Sequence, residues 1–183
     1  LLPQTFWTVF ASSLFFGIIC YVIFLVENLF IVSIGYRIPP LYRAAYTVGL
    51  VILLLTAFFL FDSLFSFKLI YWLNFLIIFV VSVILFMYVF YSVTIELPDD
   101  GKDKNFWMYV LVPGLVMAEL GMVMSFWPVG IFKGSIYLVA AVYILAGLIQ
   151  LDLRERLFKR SWVIFSWITV AIVLGMILTT SWR

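Results

Sequence analysis

Apolar residues dominate the sequence in six long runs, separated by short stretches that contain most of the charged residues. A helix needs about 20 mainly apolar residues to cross the hydrocarbon core of a bilayer. The polar interruptions therefore predict six membrane spans, over residues 6–26, 44–65, 69–94, 106–127, 134–151 and 161–182. These spans take up most of the chain. We therefore predict an all-α integral membrane protein in a single domain over residues 1–183: a compact bundle of six transmembrane helices with no soluble domain.

The end of the first span allows two interpretations. Residues 29–35 are apolar as well, so the helix could continue past Glu27 to Tyr36, which would make Glu27 and Asn28 a buried polar pair. Alternatively, residues 29–35 lie flat at the membrane surface before Pro39-Pro40 interrupts the helix. We favour the second interpretation, because polar side chains near a helix end can reach the interface.

The composition excludes several classes of protein. Hydrophobic residues make up 67% and charged residues 11% of the chain, whereas soluble domains carry about 25% charge. A net charge of +2 without a basic cluster that could follow a phosphate backbone excludes a nucleic-acid partner. The chain has no histidine and one cysteine, Cys20, so we expect no metal, no cofactor and no internal disulfide. The expected partners are the lipid bilayer and either other membrane proteins or further copies of the chain.

The distribution of basic residues predicts the orientation. Cytoplasmic loops carry an excess of Lys and Arg. Eight of the eleven Lys and Arg residues follow spans one, three and five. They are Arg37, Arg43, Lys102, Lys104, Arg154, Arg156, Lys159 and Arg160. The opposite side has Lys68, Lys133 and Arg183. Both termini are thus predicted to be non-cytoplasmic, in a plasma or inner membrane.

Glu119 is the principal candidate for a functional residue, since it lies thirteen positions into the fourth span. A charge near the bilayer centre costs several kcal/mol, on the order of 3 on insertion scales. Two interpretations remain open: a proton or cation site, or a neutral carboxyl that hydrogen-bonds to a neighbouring helix. For the second, the candidate partners are Asn74, Ser82, Thr56, Ser166 and Thr169.

Pro113-Gly114 precedes Glu119 and predicts a break in the fourth span, because proline removes a backbone hydrogen bond. A broken helix beside a carboxyl is also found at transporter sites. Small residues four positions apart predict close helix contacts. These pairs are Gly114 with Ala118, Gly130 with Gly134, and Ala45 with Gly49.

Glu27, Asn28 and Asp62 are secondary candidates. Asp62 lies near Lys68 at the predicted outer end of its span, and we expect a weak local ion pair between them.

The sequence favours a non-enzymatic membrane scaffold or a subunit of a larger assembly, because groups able to transfer protons or form bonds are nearly absent. The alternative is a small-solute or proton-coupled transporter or channel that uses Glu119 and the Pro113-Gly114 break. An enzyme that acts on lipid ranks third, since Glu27, Asp62 and Glu96 are too scattered to supply acid and base.

Overall fold

Six α-helices make up the structure, a computed structural model that describes residues 6–36, 39–95, 105–154 and 159–180. They are α1 (Phe6–Tyr36), α2 (Pro39–Ser66), α3 (Tyr71–Thr94), α4 (Phe106–Phe126), α5 (Ile131–Leu153) and α6 (Lys159–Thr179). The described residues contain no strand. All six helices are long and apolar enough to cross a membrane. The predicted all-α class with six helices of spanning length is therefore confirmed.

The largest difference from the predicted boundaries is in α1. This helix continues without interruption to Tyr36, so the interpretation that it ends near residue 26 was wrong. Glutamate is a good helix former, and the apolar residues after Asn28 continue the helix. α2 begins at Pro39, earlier than predicted, because proline is tolerated in the first turn of a helix. The basic residues Arg37, Lys102, Lys104, Arg156 and Arg183 lie outside the described residues.

The chain divides into two compact units, of which the first comprises residues 1–52. In this unit the second half of α1 packs against the start of α2 through buried aromatic and small side chains. The ring centroids of Phe30 and Tyr42 lie 5.7 Å apart, edge to face. Ala45 is fully buried and Gly49 is buried one turn later. Burial of both residues is in line with the predicted close contact, which stays a prediction.

The second unit, residues 53–183, is organised around the α3–α4 pair. Ile78 and Phe86 of α3 and Met117 of α4 are fully buried. A Cβ atom built on Gly114 would lie 2.9 Å from Cγ2 of Val83. The glycine therefore allows α3 and α4 to approach more closely than any side chain would.

Helix α5 contacts α3, α4 and α6. Gly134 of α5 is buried against Phe65, whereas Gly130 faces open space. Gly134 therefore makes a contact of the predicted kind, whereas the prediction for Gly130 stays a prediction, since small residues can also join helices of different chains. Most of the α6 surface is exposed, including Trp167 and Leu174.

Candidate functional site

Glu119 lies on the exposed side of α4. Its neighbours on this side follow at intervals of three or four residues, so one continuous strip runs along the helix. The strip consists of Met108, Val112, Leu115, Glu119 and Val123, all exposed, and is called the α4 face below. At 1.5 Å per residue, Glu119 is about 20 Å from the start of the helix and about 10 Å from its end. The α4 face is thus an apolar surface with one carboxyl group, two turns from the end of the helix.

The hydrogen bond from Glu119 to a neighbouring helix stays a prediction, since its carboxyl group makes no hydrogen bond to any described residue. The reason is geometric, because α4 presents its other side to α3. That side consists of Val110, Pro113, Gly114, Met117, Ala118 and Gly121, all buried. Glu119 lies between Ala118 and Gly121 in sequence but points away from them.

Pro113 and Gly114 belong to the packed side of α4 and not to an opening in it. The helix is continuous from Phe106 to Phe126 with Pro113 inside it. The predicted break was therefore wrong. Proline removes one backbone hydrogen bond, to the carbonyl of Tyr109, while the turns before and after it are held by the contact with α3. The buried pair of Gly114 and Ala118 confirms the predicted close contact.

Asn74 is 4% exposed and connects α3 to the end of α4. Its Nδ2 atom donates to Oγ of Ser125 at 3.2 Å and to the carbonyl of Leu69 at 3.4 Å. Its Oδ1 atom is buried and has no hydrogen-bond partner among the described residues. Ser125 is six residues beyond Glu119, about 9 Å along the helix axis. The structure therefore does not bring together Glu119 and Asn74.

The secondary candidates belong to different units of the chain. Glu27 and Asn28 belong to the first unit and are both exposed, and their predicted position relative to the membrane interface stays a prediction. Asp62 is half-buried in α2, where its Oδ1 atom accepts a hydrogen bond of 3.5 Å from Ser135 of α5. In the described structure Asp62 forms no ion pair with Lys68. That expected pair was wrong, because Asp62 turns towards α5.

A polar pocket of about 300 Å³ lies where α2 ends, α3 begins, α4 ends and α5 begins. Its polar lining includes Lys68, Asn74 and Ser125, and its wall includes Trp127 and Gly130. Lys68 has a positive φ of 49°. The indole N–H of Trp127 donates to the hydroxyl of Thr180 at 2.8 Å, which connects this end of α4 to the end of α6.

Sequence reasoning missed this pocket, and it also missed a polar pair at the other end of the second unit. The hydroxyl of Tyr109 on α4 donates to Oδ2 of Asp152 on α5. These residues are 43 positions apart, and the sequence indicated Asp152 only as part of a charged linker. Pairs of this kind become visible only when the helices are placed side by side.

Replacement of Tyr109 by phenylalanine should lower the free energy of unfolding by about 1 kcal/mol, since it removes the donor to Asp152 and leaves the ring in place. Thermal unfolding in detergent, followed by circular dichroism, measures the change. Tyr143→Phe on the exposed side of α5 is the matched control. Equal effects of the two changes would show that the Tyr109 hydrogen bond does not stabilise the protein.

The described residues contain no group of three His, Cys, Asp or Glu side chains that could hold a metal ion. Their polar groups instead form separate pairs between helices and the pocket described above. This arrangement can hold helices together and bind a small polar group.

Comparison with known proteins yields a family model described as a protein of unknown function (DUF5656), which matches residues 5–179. No curated protein and no solved structure matches the chain.

Proposed function

This chain belongs to the DUF5656 family, and we propose that it is a non-enzymatic membrane subunit that associates with a second copy of itself through the α4 face. One observation carries the proposal. The Glu119 carboxyl is exposed on an apolar helix surface, two turns from the helix end, without a partner in the described part of the chain.

A carboxyl group facing lipid is unfavourable, even when it is protonated, because its polar atoms lose hydrogen bonds that water would supply. Contact with another helix that offers a donor and an acceptor at the same depth removes that penalty. The α4 face supplies apolar side chains, Leu115 and Val123, on both sides of the carboxyl. A second helix can therefore pack against it along its length.

A second copy of the chain can cover this surface without a polar residue from any other protein. In a two-fold symmetric contact the same patch meets itself. Two parallel α4 helices would place one Glu119 carboxyl opposite the other. A protonated carboxyl is both donor and acceptor, so the two groups can satisfy each other without any further residue.

The alternative function is a small-solute or proton-coupled transporter or channel. It would require Glu119 to face a polar path through the membrane. Glu119 is not part of the pocket that contains Lys68 and Asn74, and Pro113 is buried within a continuous helix. These observations support the assembly subunit over the transporter.

The proposed orientation follows the distribution of basic residues, with both termini on the non-cytoplasmic side. The turn with Lys68 and the turn before Lys133 then face the same side as the termini. The larger basic group around Arg154 faces the cytoplasm.

Cysteine cross-linking in membranes tests self-association. Cys20 is the single cysteine, so Cys20→Ser gives a cysteine-free background into which Leu115→Cys is introduced. Leu115 is 46% exposed and one turn from Glu119 on the α4 face. Mild oxidation should give a disulfide-linked dimer of twice the chain mass, because the two sulfur atoms face each other across the contact.

The control is Leu174→Cys on α6, which is 53% exposed and therefore equally available to random collisions. It should give much less dimer than Leu115→Cys at the same expression level.

Adding Glu119→Leu to the Leu115→Cys chain should reduce the dimer, whereas Glu119→Gln should preserve it, because an amide also donates and accepts. Equal cross-linking at Leu115 and Leu174 would reject self-association through the α4 face.

A further inference from the structure

The pocket at the α2–α3 and α4–α5 turns collects groups that favour negative charge. Its polar lining includes Lys68, and its wall is formed in part by the beginning of α5, at Gly130 and Ile131. The first N–H groups of a helix have no acceptor within it and carry partial positive charge. Helix α5 has no side-chain cap and no acidic residue in its first turn. These N–H groups therefore remain available to an anion.

Asn74 provides a second, independent indication of a ligand. Its side chain lines the pocket, is 4% exposed and has a buried Oδ1 atom without a hydrogen-bond partner among the described residues. A buried acceptor without a donor is costly, by about 1–3 kcal/mol. Since Oδ1 accepts and does not donate, the missing group must carry an O–H or N–H donor.

The backbone conformation of Lys68 supports a role for its side chain in ligand binding. A φ of 49° lies in the left-handed region, which glycine or asparagine adopts more readily than lysine. Residues held in such conformations cluster at functional sites. A lysine here brings a positive charge to the lining of the pocket, where glycine would satisfy the backbone better.

We propose that this pocket binds a phosphate group that carries or adjoins a hydroxyl or amine donor. Lys68 and the N-terminus of α5 contact the phosphate oxygens, and Asn74 accepts from the donor. Two sources have this chemistry: the headgroup of a phospholipid such as phosphatidylglycerol, and inorganic phosphate in its protonated form. A volume of about 300 Å³ accommodates either group. The inference is independent of the α4 face.

Native mass spectrometry of the full chain in detergent tests the proposal with three probes: phosphatidylglycerol, phosphatidylcholine and inorganic phosphate. Phosphatidylcholine is the matched lipid, because its headgroup has a phosphate but no O–H or N–H donor. We expect phosphatidylglycerol to be retained at least tenfold more strongly than phosphatidylcholine if a lipid is the ligand. Saturable binding of inorganic phosphate without a preference for phosphatidylglycerol would identify the free ion.

Two variants of Lys68 distinguish a loss of ligand binding from a loss of folding. Lys68→Gly relieves the backbone at positive φ and should fold at least as well as the original chain, while Lys68→Met keeps the length of the side chain. Both should reduce retention of the bound probe at least tenfold. Lys133→Met is the matched control, since Lys133 is an exposed lysine at the same end that donates to the carbonyl of Thr179 and does not line the pocket. It should leave retention unchanged.

Retention that falls equally in the Lys68 and Lys133 variants would overturn the proposal, because general surface charge would then explain the binding. The absence of both a phosphatidylglycerol preference and saturable phosphate binding would also overturn it. Asn74→Leu, which fills the site of the amide with an apolar group, should lower the preference for phosphatidylglycerol over phosphatidylcholine to the part that Lys68 supplies through charge. If the preference were unchanged by that substitution, Asn74 would not be the acceptor.

Discussion

Replacement of Gly114 by leucine is expected to disrupt the α3–α4 pair and to lower the free energy of unfolding by about 3 kcal/mol, the upper part of the range for overpacked sites. A Cβ atom at this position would lie 2.9 Å from Cγ2 of Val83 and 3.6 Å from its backbone nitrogen. The valine side chain is short and stiff at χ1. The collision therefore has to be relieved by moving one helix away from the other.

Separating α3 from α4 would also loosen the buried side chains between them, including Phe86 and Met117. Thermal unfolding in detergent measures the loss of stability. Gly175→Leu on α6 is the matched control, because a Cβ atom there meets nothing within 4 Å. It should leave the unfolding midpoint almost unchanged. If both variants unfolded alike, the effect would come from the loss of helical glycine and not from the contact with Val83.

The number and type of helices could be predicted from the sequence because lipid imposes one strong requirement. Backbone N–H and C=O groups must be satisfied inside each spanning segment, so long apolar runs predict helices directly. The boundaries depended on weaker signals. The predicted end near Glu27 relied on polarity, yet a polar pair on the helix surface does not interrupt backbone hydrogen bonding.

The candidate site could be predicted only in part, because a sequence of almost uniformly apolar helices does not indicate which side of each helix faces its neighbours. Gly114 and Ala118 indicated the packed side of α4 by their size. Glu119, one residue after Ala118, could be placed only once that side was known. The pocket around Lys68 depends on four helix ends meeting, and no short motif indicates such an arrangement.

A charge-exchange experiment should give the largest effect on self-association. Glu119→Lys alone should abolish dimer formation, because two ammonium groups facing each other at low dielectric repel and cannot share a proton. A Glu119→Lys copy expressed with an unchanged copy should instead form a mixed dimer, since an ammonium and a carboxylate attract. We expect the mixed dimer to exceed the Glu119→Lys homodimer at least tenfold, which corresponds to about 1.4 kcal/mol.

Two different affinity tags on the two copies, with co-purification from the same membranes, measure the three possible pairs. Glu27→Lys is the matched control, because it makes the same charge change at an exposed glutamate of α1 and leaves the α4 face intact. It should change neither the homodimer nor the mixed dimer. The lysine variant must also reach the membrane at normal levels, which an immunoblot of the membrane fraction measures. A Glu119→Lys homodimer as abundant as the original one would contradict the proposed contact, since the carboxyl would then lie outside it.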